Sequence, residues 1–229
     1  MKLYKYRADI YRDLLTLVNN QIYAPTVQNL NDPAETIVND SKMYEVFNLM
    51  EKSGLPRNIA KDNYAKIIAQ ARTELGIFSL SKTVVNELLW AYYTNGHKGF
   101  CIEYDSEQLQ KSLSNGHLHS VLNVQYKNDT PEFSMNSITN NLVDDTQFIK
   151  CLIATKSMAW EREEEIRITL YSSGLFGISP ESVTGIYFGL RMPESDKELV
   201  KNSLKGRSIK YYQMKLKPNS YLLEAELIK

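Results

Sequence analysis

The residues with the clearest chemical capacity form one run, Trp160-Glu161-Arg162-Glu163-Glu164-Glu165-Ile166-Arg167, which is acidic where a strand is expected to begin. Beyond it Ile166, Ile168, Leu170 and Tyr171, with Arg167 and Thr169 between them, read as a strand half-buried on one face. A period of two then sets Glu163, Glu165 and Arg167 on the same side. Two carboxylates beside a guanidinium can hold a hydroxyl, orient a nucleophile or stabilise a developing cation. The same three charges can equally form a solvated face.

Further polar residues fall at strand and turn positions. Lys5 and Arg7 share one face of the first expected strand, and Ser79 and Ser81 close a middle one. Trp90, Tyr92 and Tyr93 lie at helical spacing, which suits a core or a cleft wall. His97, in the turn Asn95-Gly96-His97-Lys98-Gly99, either donates to a phosphate or only shapes the turn. His117 and His119 have no carboxylate or cysteine at ligand spacing, so no metal is expected. A dinucleotide glycine fingerprint, a phosphate-loop motif and a zinc-protease motif are all absent.

The elements that position these residues follow from periodicity and turn chemistry. A strand at 3–7, a helix at 9–20 and a strand at 21–26 open the chain. Asn29-Leu30-Asn31-Asp32-Pro33 predicts a fixed loop. Met43, Phe47 and Met50, then Ile59, Tyr64, Ile67, Ile68, Ala71 and Leu75 after a break at Gly54-Leu55-Pro56, predict a helical insertion near 41–75. A strand at 76–81, a helix at 86–94, a strand at 98–105, a capped helix at 106–115 and a strand at 121–126 come next. A helix within 131–156 is expected to lead directly into Trp160. A strand at 185–192, a helix at 195–204 and two strands at 208–216 and 220–228, turned at Pro218-Asn219, complete the chain. Strands mixed irregularly with helices predict an α+β fold, in a single domain over 1–229.

Composition narrows the function classes. Lys plus Arg and Asp plus Glu number 27 each, so no overall field draws in nucleic acid or an anionic membrane. With 43% hydrophobic and 24% charged residues, the 229-residue chain can build a sizeable core. Cys101 and Cys151 sit in unrelated contexts, and the start of the chain has no apolar segment of the kind a signal peptide needs. No run approaches the length of a membrane span. A cytoplasmic protein is expected.

An arginine on the first strand, a hydroxyl-bearing strand end and a Glu-x-Glu resemble the elements of the Arg-Ser-Glu class of ADP-ribosyltransferases. Two departures are visible: Phe78-Ser79-Leu80-Ser81 stands where Ser-Thr-Ser is usual, and the helical block separates it from Arg7. Leu3 to Arg7, Asn31-Asp32-Pro33, Phe78-Ser79, Leu89 to Tyr93, Asn95 to Phe100 and the run from Trp160 to Arg167 resemble more closely, and over nearly the whole chain, the uncharacterised bacterial family called domain of unknown function 2971. The transferase resemblance implies a split β-sheet core, NAD as substrate and an oxocarbenium-like transition state. It implies Glu165 as catalytic carboxylate and Glu163 as the residue positioning an acceptor or water. Arg7 or Lys5 would hold phosphate, and Ser79 or Ser81 would support the ribose, with Trp90, Tyr93, His97 and Arg167 around the nucleotide. The expected partners are then a small nucleotide and an acceptor the sequence does not name. The alternatives are a non-catalytic recognition or immunity module of a bacterial defence or mobile locus, in which the same charges form an ion network, and a metal-dependent nuclease built on Asp32 and the glutamates. The last lacks a lysine at a recognisable spacing.

Overall fold

The computed structural model describes residues 1–54, 57–132 and 146–228. In chain order the elements are β1 (Lys2–Arg7), α1 (Ile10–Val18), β2 (Gln21–Ala24), α2 (Ser41–Lys52), α3 (Arg57–Thr73), β3 (Gly76–Ser81), α4 (Glu87–Tyr93), β4 (Phe100–Asp105), α5 (Ser106–Leu113) and β5 (Leu118–Asn123). They continue with β6 (Gln125–Lys127), α6 (Thr146–Ile153), β7 (Thr155–Ser157), β8 (Glu165–Leu170), β9 (Gly174–Gly177), β10 (Val183–Phe188), α7 (Glu194–Ser203), β11 (Lys210–Leu216) and β12 (Leu223–Ile228). Eight strands make one mixed sheet in the order β12-β11-β10-β4-β1-β3-β8-β5, while β2 pairs β9 and β6 pairs β7. The α+β class follows. No helix among the described residues is long and apolar enough to cross a membrane.

Strand alternation assigns the sheet's two faces to different partners. Leu3, Phe78, Leu80, Ile102, Ile166, Ile168 and Ile186 point to one face, where Leu14 and Leu17 of α1, Leu109 and Leu113 of α5, and Val200 of α7 close the largest core. The opposite face carries two smaller cores. One joins Ile77 and Leu122 to Met43 and Phe47 of α2, Ala71 of α3 and Leu152 of α6. The other joins Tyr6, Cys101 and Tyr187 to Leu89 and Trp90 of α4. Between them the sheet is weakly joined: β1 pairs β3 only at Tyr4 and Ser81, whereas β1 matches β4 from Lys2 to Arg7 and β3 matches β8 from Gly76 to Ser81.

Local caps agree with the residue types. Asp9, Asn86 and Asp105 accept hydrogen bonds from the first backbone N–H groups of α1, α4 and α5. Several expectations need correction. The strand anticipated over 121–126 is interrupted at Val124, and β7 and β9 were not anticipated, because three- and four-residue strands are too short to show a period. The helix anticipated over 131–156 is seen as α6 alone, its stretch 133–145 lying outside the described residues, as do Leu55 and Pro56. The largest correction concerns the acidic run: Met158–Glu163 forms a 3-10 turn, Glu164 adopts a left-handed φ of 46°, and the strand starts only at Glu165.

The end of β1 is fixed by a backbone contact. A Cβ placed on Gly99 would lie 2.0 Å from the Arg7 carbonyl oxygen and 3.2 Å from the Ala8 Cα, so no larger residue fits without moving that strand end. Gly99→Ala is therefore expected to destabilise the fold by about 1–3 kcal/mol, the usual scale of overpacking, read as a lowered urea midpoint; an unchanged midpoint would contradict this close approach.

Candidate functional site

A cavity of about 390 Å³ occupies the gap where β1 and β3 diverge. Because it lies in a split of the sheet, both pleat faces line it: Lys5 and Arg7 from one, and Tyr4, Tyr6, Ser79 and Ser81 from the other. Arg12 and Asp13 of α1, Tyr92 and Tyr93 of α4, Glu35, Lys156, Glu163, Glu165 and Arg167 complete its polar wall.

The carboxylate wall is built on β8. All six residues of this strand are buried, so its polar face is covered as well as its apolar one. Arg167, 1% exposed, supplies the reason. Its Nε donates to Glu165 Oε1 at 2.8 Å, and Nη2 donates to Glu165 Oε2 at 3.1 Å and Glu35 Oε1 at 2.6 Å. Nη1 donates to Glu35 Oε2 at 2.9 Å and to the Ile153 carbonyl at 2.6 Å. A guanidinium has five N–H donors, so none is left for a ligand.

Lys156 joins the second half of the cluster. Its Nζ lies 2.5 Å from Glu163 Oε2, 3.3 Å from Glu165 Oε2 and 3.6 Å from Glu35 Oε1, and 4.9 Å from the centre of the Trp160 ring. Tyr93 donates its hydroxyl to Glu163 Oε1 at 2.6 Å, and the Glu165 backbone N–H donates to the Tyr126 hydroxyl at 2.8 Å. Burial alone would raise the Glu165 pKa, but Arg167, Lys156 and the Ser79 hydroxyl hold it down to about 2. Burial would likewise lower the Lys156 pKa, yet Glu165, Glu163 and Glu35 raise it. Three carboxylates against two cations leave one negative charge in excess.

The lining contributed by β1 and α1 is mainly cationic. Arg12 and Arg7 share Asp13, at 3.1 and 3.5 Å. The buried Nε of Arg7 has no hydrogen-bond partner among the described residues. Lys5 donates to the Ser79 carbonyl at 2.7 Å and lies 5.2 Å from the Phe78 ring centre, with no ion pair among the described residues. Burial, then Arg7, brings its pKa down to about 7.

Of the residues singled out in the sequence, Glu163, Glu165, Arg7, Lys5, Ser79, Ser81, Tyr93 and Arg167 line the cavity. Trp90 and His97 do not: Trp90 is fully buried against Tyr6, and His97 stacks on Trp90 at 6.3 Å between ring centres. Glu163 reaches its place through the 3-10 turn and the left-handed Glu164 rather than by strand alternation. Lys156 and Glu35 were missed. Lys156 sits in the unanticipated β7, where a three-residue polar strand gives no signal. Glu35 belongs to a loop held by distant groups: Arg72 of α3 donates to the Thr36 carbonyl and hydroxyl at 2.8 and 3.0 Å, and Asp32 accepts from the Ala34 N–H at 2.9 Å.

The arrangement defines an α/β/α-layered protein with a polar cavity in a sheet split. A family model described as a protein of unknown function, DUF2971, matches residues 89–168. That segment supplies Tyr93, Lys156, Glu163, Glu165 and Arg167 but not Lys5, Arg7, Glu35 or Ser79, so the matched stretch is shorter than the motifs quoted from the sequence suggest. No curated protein and no solved structure matches the chain.

Two consequences follow for stability. Arg167→Met leaves Glu35 and Glu165 facing Lys156 alone, and should cost about 3–5 kcal/mol, the scale for breaking a buried ion pair, read in urea unfolding. The depressed Glu165 pKa lies below its value of about 4.3 in an unfolded chain, so its contribution is complete above that pH and disappears as the pH falls toward 2. Acid titration of the Glu165→Gln variant should therefore show a shallower loss of stability between about pH 4.3 and 2 than the parent protein.

Proposed function

We propose that the cavity binds NAD and that its carboxylate wall cleaves the nicotinamide glycosidic bond, passing ADP-ribose to water or to an acceptor. The observation that carries this reading is the presence, in the lining of one cavity, of an unsatisfied Arg7 donor beside Arg12 and of a buried ionised Glu165. Arg7 and Arg12 suit a pyrophosphate, because guanidinium donors match phosphate oxygens in pairs. Tyr92 and Tyr93 offer ring surface to a base. Glu165 accepts a hydrogen bond from a hydroxyl of the nicotinamide ribose, with Ser79 and Ser81 beside it. When the bond between C1′ and the nicotinamide nitrogen breaks, its electron pair leaves with nicotinamide, and the fixed negative charge stabilises the oxocarbenium-like ribose. Glu163 takes the proton of an acceptor that attacks C1′, a role that water, meeting an already electrophilic carbon, does not need. Arg167 and Lys156 keep Glu165 ionised, and Lys156 holds Glu163 in place.

One observation favours a second reading. Both Glu165 oxygens are engaged by Arg167, and one also by Lys156, as they would be in a recognition module whose ion network only shapes a pocket. The two readings separate on Glu165→Gln. For an enzyme, nicotinamide release should fall by roughly two to three orders of magnitude, the scale of one preorganised electrostatic contact, while NAD still raises the melting temperature by mass action. Glu163→Gln should spare hydrolysis and weaken transfer. Release by folded Glu165→Gln at the parent rate, or no melting shift with millimolar NAD, would move the assignment to the recognition module.

A further inference from the structure

Two lysines share the cavity and are treated oppositely. Lys156 is saturated by three carboxylates and held as an ammonium. Lys5 has no carboxylate within ion-pair distance among the described residues and a single hydrogen bond, to the Ser79 carbonyl. The Phe78 ring and the Ser79 carbonyl suit an ammonium, but burial and then the like charge of Arg7 outweigh them and bring the amine's pKa down to about 7, where the neutral form is present without an ion pair to break. A neutral amine that gives one N–H to a carbonyl still has its lone pair. Residues two apart in a strand share a face and lie about 7 Å apart, which places the Arg7 guanidinium one short phosphorylated chain away from the Lys5 amine.

We propose that Lys5 is a covalent site, whose amine condenses with the carbonyl of a small phosphorylated aldehyde or ketone while Arg7 and Arg12 hold the phosphate. The nitrogen lone pair attacks the carbonyl carbon and the C=O π pair moves to oxygen, giving a carbinolamine. Loss of that oxygen as water, with both amine hydrogens, leaves a carbon–nitrogen double bond; no oxidant or reductant enters. Lys5 acts here as a nucleophile of the kind desolvation and a neighbouring cation produce. The charges around it are Arg7 on β1, Arg12 and Asp13 on α1, and Glu35, Lys156, Glu163, Glu165 and Arg167 on the facing wall. This site shares the cation wall of the nucleotide reading but needs none of its glycosidic chemistry.

Pyridoxal 5′-phosphate, trapped by borohydride and mapped by peptide mass, tests the assignment on the whole protein. The adduct should form on Lys5 faster than on any other lysine, and its initial rate should climb as the pH passes about 7. Pyridoxal, which lacks the phosphate, should label Lys5 about tenfold more slowly, the scale of one charge-assisted hydrogen bond, and Arg12→Gln should remove most of that difference. Lys5→Arg should abolish the fast adduct; if that variant does not fold, the map of the parent protein decides alone. Labelling spread over exposed lysines with Lys5 no faster, or equal rates for the two aldehydes, overturns the proposal. Fast Lys5 labelling without nicotinamide release would retain it and remove the NAD reading, while release without Lys5 labelling would do the reverse.

Discussion

The Arg167 guanidinium is the interaction on which the site depends. A buried charge of this kind is tolerated only when its donors are satisfied and its charge is offset, and Arg167 meets both conditions by drawing in Glu165 from its own strand, Glu35 from a loop and the Ile153 carbonyl from the end of α6. The loop is therefore fixed to the sheet by Arg167 and to the helical block by Arg72. The polar face of β8 is buried because those elements cover it.

The same cluster explains how one pocket can hold opposite chemistries. On one side, surplus carboxylate keeps Lys156 charged; on the other, burial and then the like charge of Arg7 lower the pKa of the Lys5 amine to about 7. Two identical side chains thus differ by position alone. Asp13, shared between Arg7 and Arg12, leaves the cation wall with charge to spare. A ligand bearing both an anionic group and an electrophilic or hydroxyl-rich carbon fits that polarity from end to end.

Much of the framework was legible in the residues. The strands at Lys2–Arg7, Gly76–Ser81 and Phe100–Asp105, and the capped α1, α4 and α5, follow from alternation, helical spacing and Asp or Asn at the first turn. Glu165 and Arg167 were also legible, since two residues of one strand carry their own spacing. Glu163 was found by proximity but for an incorrect reason, because a left-handed Glu164 is a backbone state that composition does not announce. Glu35 and Lys156 were illegible: each joins the cavity's charge cluster only through partners far along the chain or beyond its own short segment, and neither sits in a segment long enough to show a period. Trp90 illustrates the converse, an aromatic whose helical spacing serves the core rather than the cavity.

The single pairing of Tyr4 with Ser81 has a further consequence. It divides the sheet into a five-strand block and a three-strand block that are each continuously hydrogen-bonded, with one rung between them. Side chains supplement that rung, with Lys5 donating to the Ser79 carbonyl and Tyr6 to the Thr83 carbonyl across the same seam. Tyr93, on a helix packed against β1, reaches across the seam to Glu163, so the carboxylate cluster is tied to both blocks. Cavity width and the placing of Glu163 are thereby mechanically linked, since any widening of the seam draws on that carboxylate through Tyr93.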